Sequence, residues 1–140
     1  MQTFKSLAAI LVAASLALSA LPASAATPAE IQKDLETEAR ASAPGFSGLS
    51  AARGQQFFGA KHGNDWSCTS CHTATPNAPG KHAKTDKEIA PMAPAANAQR
   101  FTDAAKVEKW FKRNCNDVLG RACSAQEKGD VLAYLMSVAK

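Results

Sequence analysis

The chain has 140 residues, with 16 Lys and Arg against 12 Asp and Glu, and its formal net charge is +4. This charge is mild and spread along the sequence, which argues against both the basic surface of a nucleic-acid-binding protein and a membrane-binding stripe. The length suits one small domain with a single core.

Residues 1–26 have the composition of a secretory signal peptide. A single lysine precedes an apolar run from Leu7 to Leu21, and Ala23-Ser24-Ala25 supplies the small residues of a cleavage site. We therefore predict cleavage after Ala25 or Ala26 and export to the periplasm. The apolar run is short for a retained membrane anchor, which is the alternative, so we expect no stable membrane insertion after cleavage.

Two helices are predicted between residues 27 and 60. The segment Thr27-Pro28-Ala29-Glu30 combines an N-cap residue, a proline at the first helical position and an acid at the third, so a helix should run to about Ala41. A second helix over residues 50–60 carries Phe57 and Phe58 on its apolar side.

The segment Cys68-Thr69-Ser70-Cys71-His72 has the spacing of a covalent haem-attachment motif. Two thiols one helical turn apart can form thioethers to both vinyl groups of one porphyrin, and the adjacent His72 can bind the iron as proximal ligand. The alternatives are a structural zinc site, which needs two more ligands, and a thioredoxin-like dithiol, which needs a strand–helix context. We therefore predict one covalently bound haem c.

The remaining cysteines, Cys115 and Cys123, form a candidate disulfide. Haem attachment of the c type takes place outside the cytoplasmic membrane, where disulfides persist. A bridge between these residues would close a short loop and contribute roughly 2.5 kcal/mol to stability. Two free thiols are the alternative.

The C-terminal half is predicted to contain two helices after a long loop. Residues 73–99 are rich in proline and alanine and lack sustained periodicity, so we expect a loop that wraps the cofactor. Thr102 is predicted to cap a helix that ends at about Asn114. Ser124-Ala125-Gln126-Glu127 has the pattern of a capping box and should open the last helix. No strand pair is expected, so the predicted fold is mostly α.

This arrangement resembles class I cytochromes c over most of residues 50–140. In that family a glycine and an aromatic residue near the start of the domain pack against the last helix. The residues at the matching positions here are Gly54, Phe58, Val131, Ala133, Tyr134 and Leu135. The resemblance implies an all-α class I cytochrome c fold over residues 50–140, with residues 27–49 as an extra N-terminal helix and turn. It also implies that the carbonyl of Pro91 accepts a hydrogen bond from the second imidazole nitrogen of His72.

The sixth iron ligand is not an obvious methionine. Met1 is removed with the signal peptide, and Met136 lies inside the last amphipathic helix. Met92 follows Pro91, in a segment that this family packs on the histidine side of the haem, so we interpret it as an apolar haem contact. Ligation by Met92 remains an alternative.

For two histidines and two tryptophans the sequence also leaves a functional and a purely structural role open. His62 and His82 lie in polar loops, which favours solvated surface positions over iron ligation. Trp66 and Trp110 are predicted to pack around the haem edge, with electron entry as the alternative.

A closer resemblance covers residues 87–123. The segments that carry it are Lys87-Glu88-Ile89-Ala90-Pro91, Arg100-Phe101-Thr102-Asp103, Val107-Glu108-Lys109-Trp110, Arg113-Asn114-Cys115-Asn116, Gly120-Arg121 and Cys123. They resemble the sphaeroides haem protein family, monohaem c-type cytochromes with an asparagine as sixth ligand and a disulfide beside it. The resemblance implies that Asn114 is the sixth ligand, that the Cys115–Cys123 bridge braces it, and that a dihaem cytochrome c is the redox partner. Met92 departs from the family, in which leucine is expected.

An asparagine ligand predicts a specific redox behaviour. The amide oxygen is a neutral, hard donor that competes poorly for ferrous iron, so reduction should release Asn114 and open the iron to O₂, NO or CO. An oxygen- or nitric-oxide-consuming activity is a further version of this function, although the sequence offers no peroxidase-type acid–base pair. The alternative function is a simple electron carrier whose sixth ligand, Met92 or a histidine, never leaves. For Asn114 itself the alternative is a helix C-cap, with Asn116 as the fallback ligand.

Overall fold

The computed structural model of the protein describes residues 25–139, so the predicted signal peptide lies almost entirely outside the described residues. The described chain is mostly helical, as predicted. Its elements are α1 (Pro28–Ser42), α2 (Ala51–Gly59), α3 (Thr69–His72), β1 (Gly80–Lys81), β2 (Glu88–Ile89), α4 (Ala104–Leu119) and α5 (Ala125–Ser137). Within this part of the chain, no helix is long and apolar enough to cross a membrane.

Local hydrogen bonds at the helix starts confirm the two predicted caps of α1 and α5. Thr27 and Ser124 each form a capping box with the glutamate three residues on. The predicted cap of α4 was wrong, because the side chain of Asp103, rather than Thr102, accepts from the Lys106 N–H.

The C-terminal end of α4 also differs from the prediction. The helix continues past Asn114 to Leu119 and ends at Gly120, whose φ of 72° is the left-handed conformation of a C-cap glycine. No proline or glycine interrupts residues 114–119, so nothing in the local sequence stops the helix earlier.

A short strand pair was not predicted. Gly80–Lys81 and Glu88–Ile89 pair antiparallel inside the long loop. Gly80 lies directly against the haem motif, since a Cβ atom at this position would lie 2.1 Å from the carbonyl oxygen of Cys71. The strand pair therefore holds the loop against the motif.

Helix α5 lies at the centre of the fold, with α1 and α2 packed against it. The buried core contains Ile31, Leu35, Phe58, Phe101, Val131, Leu132 and Leu135. Gly54 confirms the expected contact of α2 with the last helix, because a Cβ atom there would lie 1.8 Å from the carbonyl oxygen of Asp130. One turn later the ring of Phe58 lies 5.7 Å from that of Tyr134.

A buried ion pair reinforces the contact between α2 and α5. The Asp130 side chain is only 6% exposed and accepts from Arg53 Nε at 2.8 Å and Nη2 at 2.9 Å. It also accepts from the backbone N–H of Ser50, at the N-cap of α2. Both oxygens of the buried carboxylate therefore have hydrogen-bond donors at the start of α2, and these bonds fix the place where α2 crosses α5.

Replacing Gly54 with Ala should therefore destabilise the protein by about 1–3 kcal/mol, since the two helix backbones must separate. Gly59→Ala in the same helix is the matched control, because a Cβ atom there meets nothing within 4 Å. Its effect should stay within about 1 kcal/mol. Chemical denaturation followed by circular dichroism measures both, and equal stability of the two variants would contradict the packing described.

Candidate haem site

The haem motif forms a single helical turn, α3, directly after Cys68. The His72 N–H donates to the Cys68 carbonyl at 2.9 Å. The buried Ser67 hydroxyl lies 2.6 Å from the hydroxyl of Thr69. This turn brings both thiols and the imidazole to one short segment, as the motif predicts.

The two motif cysteines are unpaired and partly buried. Burial raises the pKa of the Cys68 thiol to about 11, so this thiol is protonated and uncharged at neutral pH. The backbone N–H of Ala83 lies 3.5 Å from Cys71 Sγ, which places the turn after β1 beside the second thiol.

His72 lies against the core with a neutral ring. Its ring centroid is 6.3 Å from that of Phe58, and its Nδ1 atom is buried without a hydrogen-bond partner among the described residues. Burial, followed by the charges of Arg100 and His82, lowers the pKa of His72 to about 4. The neutral imidazole is the form that binds a metal.

The hydrogen bond that the resemblance implies between Pro91 and His72 is not formed in this structure. The Pro91 carbonyl instead accepts from Arg100 Nε at 2.9 Å and from Asn97 Nδ2 at 3.4 Å. A charged donor forms the stronger hydrogen bond, which explains why Arg100 holds this carbonyl. Sequence reasoning assigned no role to Arg100, because no local pattern marks an arginine that reaches back across a loop.

Met92 and the two other histidines each have local contacts. Met92 is half-buried and packs against the core cluster, while its backbone N–H donates to Pro76. The Nε2 atom of His62 lies 2.9 Å from the carbonyl of Phe57. The Nδ1 atom of His82 lies 3.0 Å from the hydroxyl of Thr85. Both histidines are half-buried rather than fully solvated.

Asn114 lies on the inward face of α4. Val107, Phe111, Asn114 and Val118 follow one another at intervals of four, three and four residues, which is the spacing of a single helix face. Val107 and Phe111 pack against the core, and Val118 is buried. The C-cap interpretation of Asn114 is wrong, because the helix continues for more than a turn beyond it. Asn116, the fallback ligand, is exposed.

The predicted disulfide is present. Cys115 and Cys123 are bonded, with their Cα atoms 5.6 Å apart, and the bridge joins the end of α4 to the start of α5. A second link lies further along these helices, where Lys128 Nζ lies 2.7 Å from a carboxylate oxygen of Glu108. The disulfide and this ion pair together hold α4, and with it Asn114, in a fixed position relative to α5.

The two tryptophans lie in different surroundings. Trp110 is 50% exposed on α4, with the Arg113 guanidinium 5.2 Å from its ring centroid. Trp66 is half-buried beside the motif, with Lys84 Nζ 5.6 Å from its ring. The predicted packing of both rings around a haem edge remains a prediction.

The residues present fit a covalently attached haem. The two unpaired thiols could supply the thioethers, and the neutral His72, whose Nδ1 is buried without a partner among the described residues, could supply the proximal ligand. Between residues 25 and 139, no group of three or more His, Cys, Asp or Glu side chains could hold a metal ion, so the zinc alternative lacks ligands there. The all-α fold and this donor set define a c-type cytochrome.

Comparisons with known proteins identify the family. The family model described as domain of unknown function DUF1924 matches residues 44–135. Cytochrome c″ of Methylophilus methylotrophus is 44% identical over 101 residues, covering 69% of this chain and 70% of that protein. The cytochrome c-type protein SHP of Cereibacter sphaeroides is 56% identical over 69 residues, covering 49% of this chain and 53% of that protein.

Solved structures of the same two relatives share the fold. Oxidised SHP, described as an oxygen-binding cytochrome c, matches with a TM-score of 0.70 and 42% identity, covering 81% of this chain and 99% of that one. The solution structure of cytochrome c″, described as giving insight into haem-ligand detachment, matches with a TM-score of 0.71 and 38% identity, covering 81% and 94%. The chain therefore belongs to the sphaeroides haem protein family.

The two cysteine pairs should behave differently when removed. The double variant Cys68→Ala/Cys71→Ala should lose covalent haem, because no thioether can form. Cys115→Ala/Cys123→Ala should keep it. Haem staining after denaturing electrophoresis distinguishes the two, and covalent haem in the first variant would contradict the assignment.

The disulfide should stabilise the folded protein by about 2–3 kcal/mol through the loop it closes. Chemical denaturation of Cys115→Ala/Cys123→Ala should show this loss relative to the oxidised wild type. The wild type under reducing conditions is the control and should approach the variant. If all three samples are equally stable, the bridge has no energetic role.

Proposed function

We propose that the protein is a periplasmic monohaem c-type cytochrome in which His72 and Asn114 are the axial ligands of ferric iron. Cys68 and Cys71 hold the haem through thioethers. Reduction releases Asn114, and the ferrous iron then binds O₂ or NO. A redox partner, a dihaem cytochrome c on the family's pattern, supplies the electrons, and the signal peptide in residues 1–26 directs export.

The observation that carries this proposal is the position of Asn114. Its half-buried amide lies on the same face of α4 as Val107, Phe111 and Val118, and it makes no hydrogen bond with the described residues. Iron coordination provides a partner for its oxygen. The disulfide at the next residue prevents α4 from moving away as a whole.

The release of Asn114 follows from its donor atom. An amide oxygen is neutral and hard, so it binds ferric iron better than ferrous iron. Once free, the amide can rotate and donate a hydrogen bond from its NH₂ group to a diatomic ligand. The haem supplies the redox-active iron; the chain supplies a weak ligand that can leave and a fixed helix to which it stays attached.

The rival ligands have less support. The Met92 side chain packs against the core, and its own backbone N–H donates to the Pro76 carbonyl at 2.9 Å. His62 is bonded to the end of α2, and His82 to its own turn. Each would have to give up these local contacts to reach iron, so a carrier with a fixed Met92 or histidine ligand is the weaker candidate.

The relatives support a labile sixth position. SHP is described as oxygen-binding, and cytochrome c″ in connection with haem-ligand detachment. Because both share this fold, a sixth ligand that leaves the iron is the property we carry over to this chain. A reduction of O₂ to peroxide or water would require a proton donor that the inward residues of α4 do not supply.

The variant Asn114→Met tests the proposal. A thioether binds ferrous iron better than an amide oxygen does, so the reduced variant should become six-coordinate and low-spin. If the methionine is off the iron in about one reduced molecule in 100, the apparent CO affinity falls by on the order of 100-fold relative to an open site. Optical CO titration of the reduced protein measures this change.

Asn116→Met is the matched control, since it places the same side chain on the exposed face of the same helix. It should bind CO like the wild type. If Asn114→Met also keeps wild-type CO binding, Asn114 does not face the iron. If only Asn116→Met closes the site, the fallback asparagine is the ligand.

A further inference from the structure

Arg100 makes two hydrogen bonds to the loop beside His72. Its Nε atom donates to the Pro91 carbonyl at 2.9 Å and its Nη2 atom donates to the Ala90 carbonyl at 2.5 Å. Asn97 adds a longer contact of 3.4 Å to the same Pro91 oxygen. A planar guanidinium thus fixes two successive carbonyls in the segment that follows β2.

The backbone brings Arg100 back to this loop through a series of turns. The Asn97 N–H donates to Ala93, and the Arg100 N–H donates to Asn97. Phe101 then adopts a φ of 58°, a left-handed conformation that is unfavourable for an aromatic residue. Its ring is buried in the core cluster, which offsets the cost of this conformation.

The guanidinium is half-buried, and burial lowers its pKa from the ordinary value. Its positive charge lies on two carbonyls of the loop that follows β2, and this loop lies beside the haem motif through the contact of Gly80 with Cys71. A positive charge there disfavours the additional positive charge of ferric iron bound to His72.

The Pro91 carbonyl is also the acceptor through which class I cytochromes orient the proximal histidine. An oxygen that already accepts from a charged donor is a weaker acceptor for a second one. His72 would then be a less basic ligand, and a less basic ligand stabilises ferric iron less.

We propose that Arg100 is a positioning residue on the proximal side, which clamps the Ala90 and Pro91 carbonyls, leaves the buried Nδ1 atom of His72 without a bond to Pro91 and raises the reduction potential of the haem. The proposal rests on His72 as iron ligand, but it does not depend on Asn114. Both effects act in the same direction, because each disfavours the ferric state.

The test is potentiometric titration of the holoprotein with wild-type Arg100, Arg100→Gln and Arg100→Lys. Arg100→Gln should lower the ratio of ferrous to ferric protein at a given potential by about tenfold, which is about 59 mV for one electron. Arg100→Lys keeps the charge and loses the two-carbonyl geometry, so it should fall between the other two. Arg40→Gln, at an exposed arginine on α1, is the control and should leave the potential unchanged.

A second readout follows His72 directly. In a diamagnetic ferrous form, with CO bound or with a retained native ligand, the Nδ1–H proton resonance of His72 should move downfield in both Arg100 variants, because the released Pro91 carbonyl can then accept from Nδ1–H. A change of fold alone would not move potential and resonance together in this direction. If Arg100→Gln fails to fold, Arg100→Lys must still show the downfield shift.

Wild-type values for both the potential and the His72 resonance in the Arg100 variants would overturn the proposal. The proposed function can fail while this proposal stands. A protein that binds no CO, or that binds CO independently of Asn114, would still show both effects of the Arg100 variants. Absence of an iron-bound His72 signal in the wild type would overturn both.

Discussion

The backbone contact between α2 and α5 determines the rest of the structure. Gly54 allows the two helices to touch at Asp130, and no side chain larger than hydrogen fits between them. One turn further along α2, this crossing places Phe58 between Tyr134 of α5 and His72 of the haem motif. His72 is therefore positioned by the helix crossing, through one aromatic ring, and the Arg53–Asp130 pair holds the two helices in this register.

Helix α4, which carries the proposed ligand Asn114, is held differently. Its links to the rest of the chain include the disulfide at Cys115, the Glu108–Lys128 pair and the two hydrogen bonds by which Asn64 contacts its last turn. These links flank Asn114 on both sides along the helix. A ligand on a helix anchored in this way can leave the iron by rotation of its own side chain, without displacement of the helix. This is the mechanical requirement for a weak ligand that must return after each redox cycle.

The sequence predicted most of the fold because its signals are local. The caps at Thr27 and Ser124 depend on residues within one turn of each other, and both were located correctly. The cap of α4 was misplaced by one residue, since Thr102 and Asp103 are both good caps and only the structure decides between them. The predicted end of α4 at about Asn114 was wrong, because the apolar positions of this helix continue to Val118 and the helix ends only at Leu119.

The site was only partly predictable for a related reason. Cys68, Cys71 and His72 form one short motif, while Asn114 could be proposed as a ligand only by resemblance, since an isolated asparagine has no chemical signature. The contacts of Arg100 and of Gly80 depend on how a loop of more than twenty residues folds back on the motif. No periodicity or propensity encodes such contacts, so they become visible only when the chain is folded.

The central claim is that the sixth ligand leaves on reduction, and the optical spectra of the purified wild-type holoprotein test it most directly. The ferric and ferrous spectra are recorded first, and CO is then added to the reduced sample. The account predicts a mainly high-spin ferrous spectrum and rapid CO binding. A sharp low-spin ferrous spectrum that CO does not change would contradict it and would make the protein an ordinary electron carrier with a permanent sixth ligand.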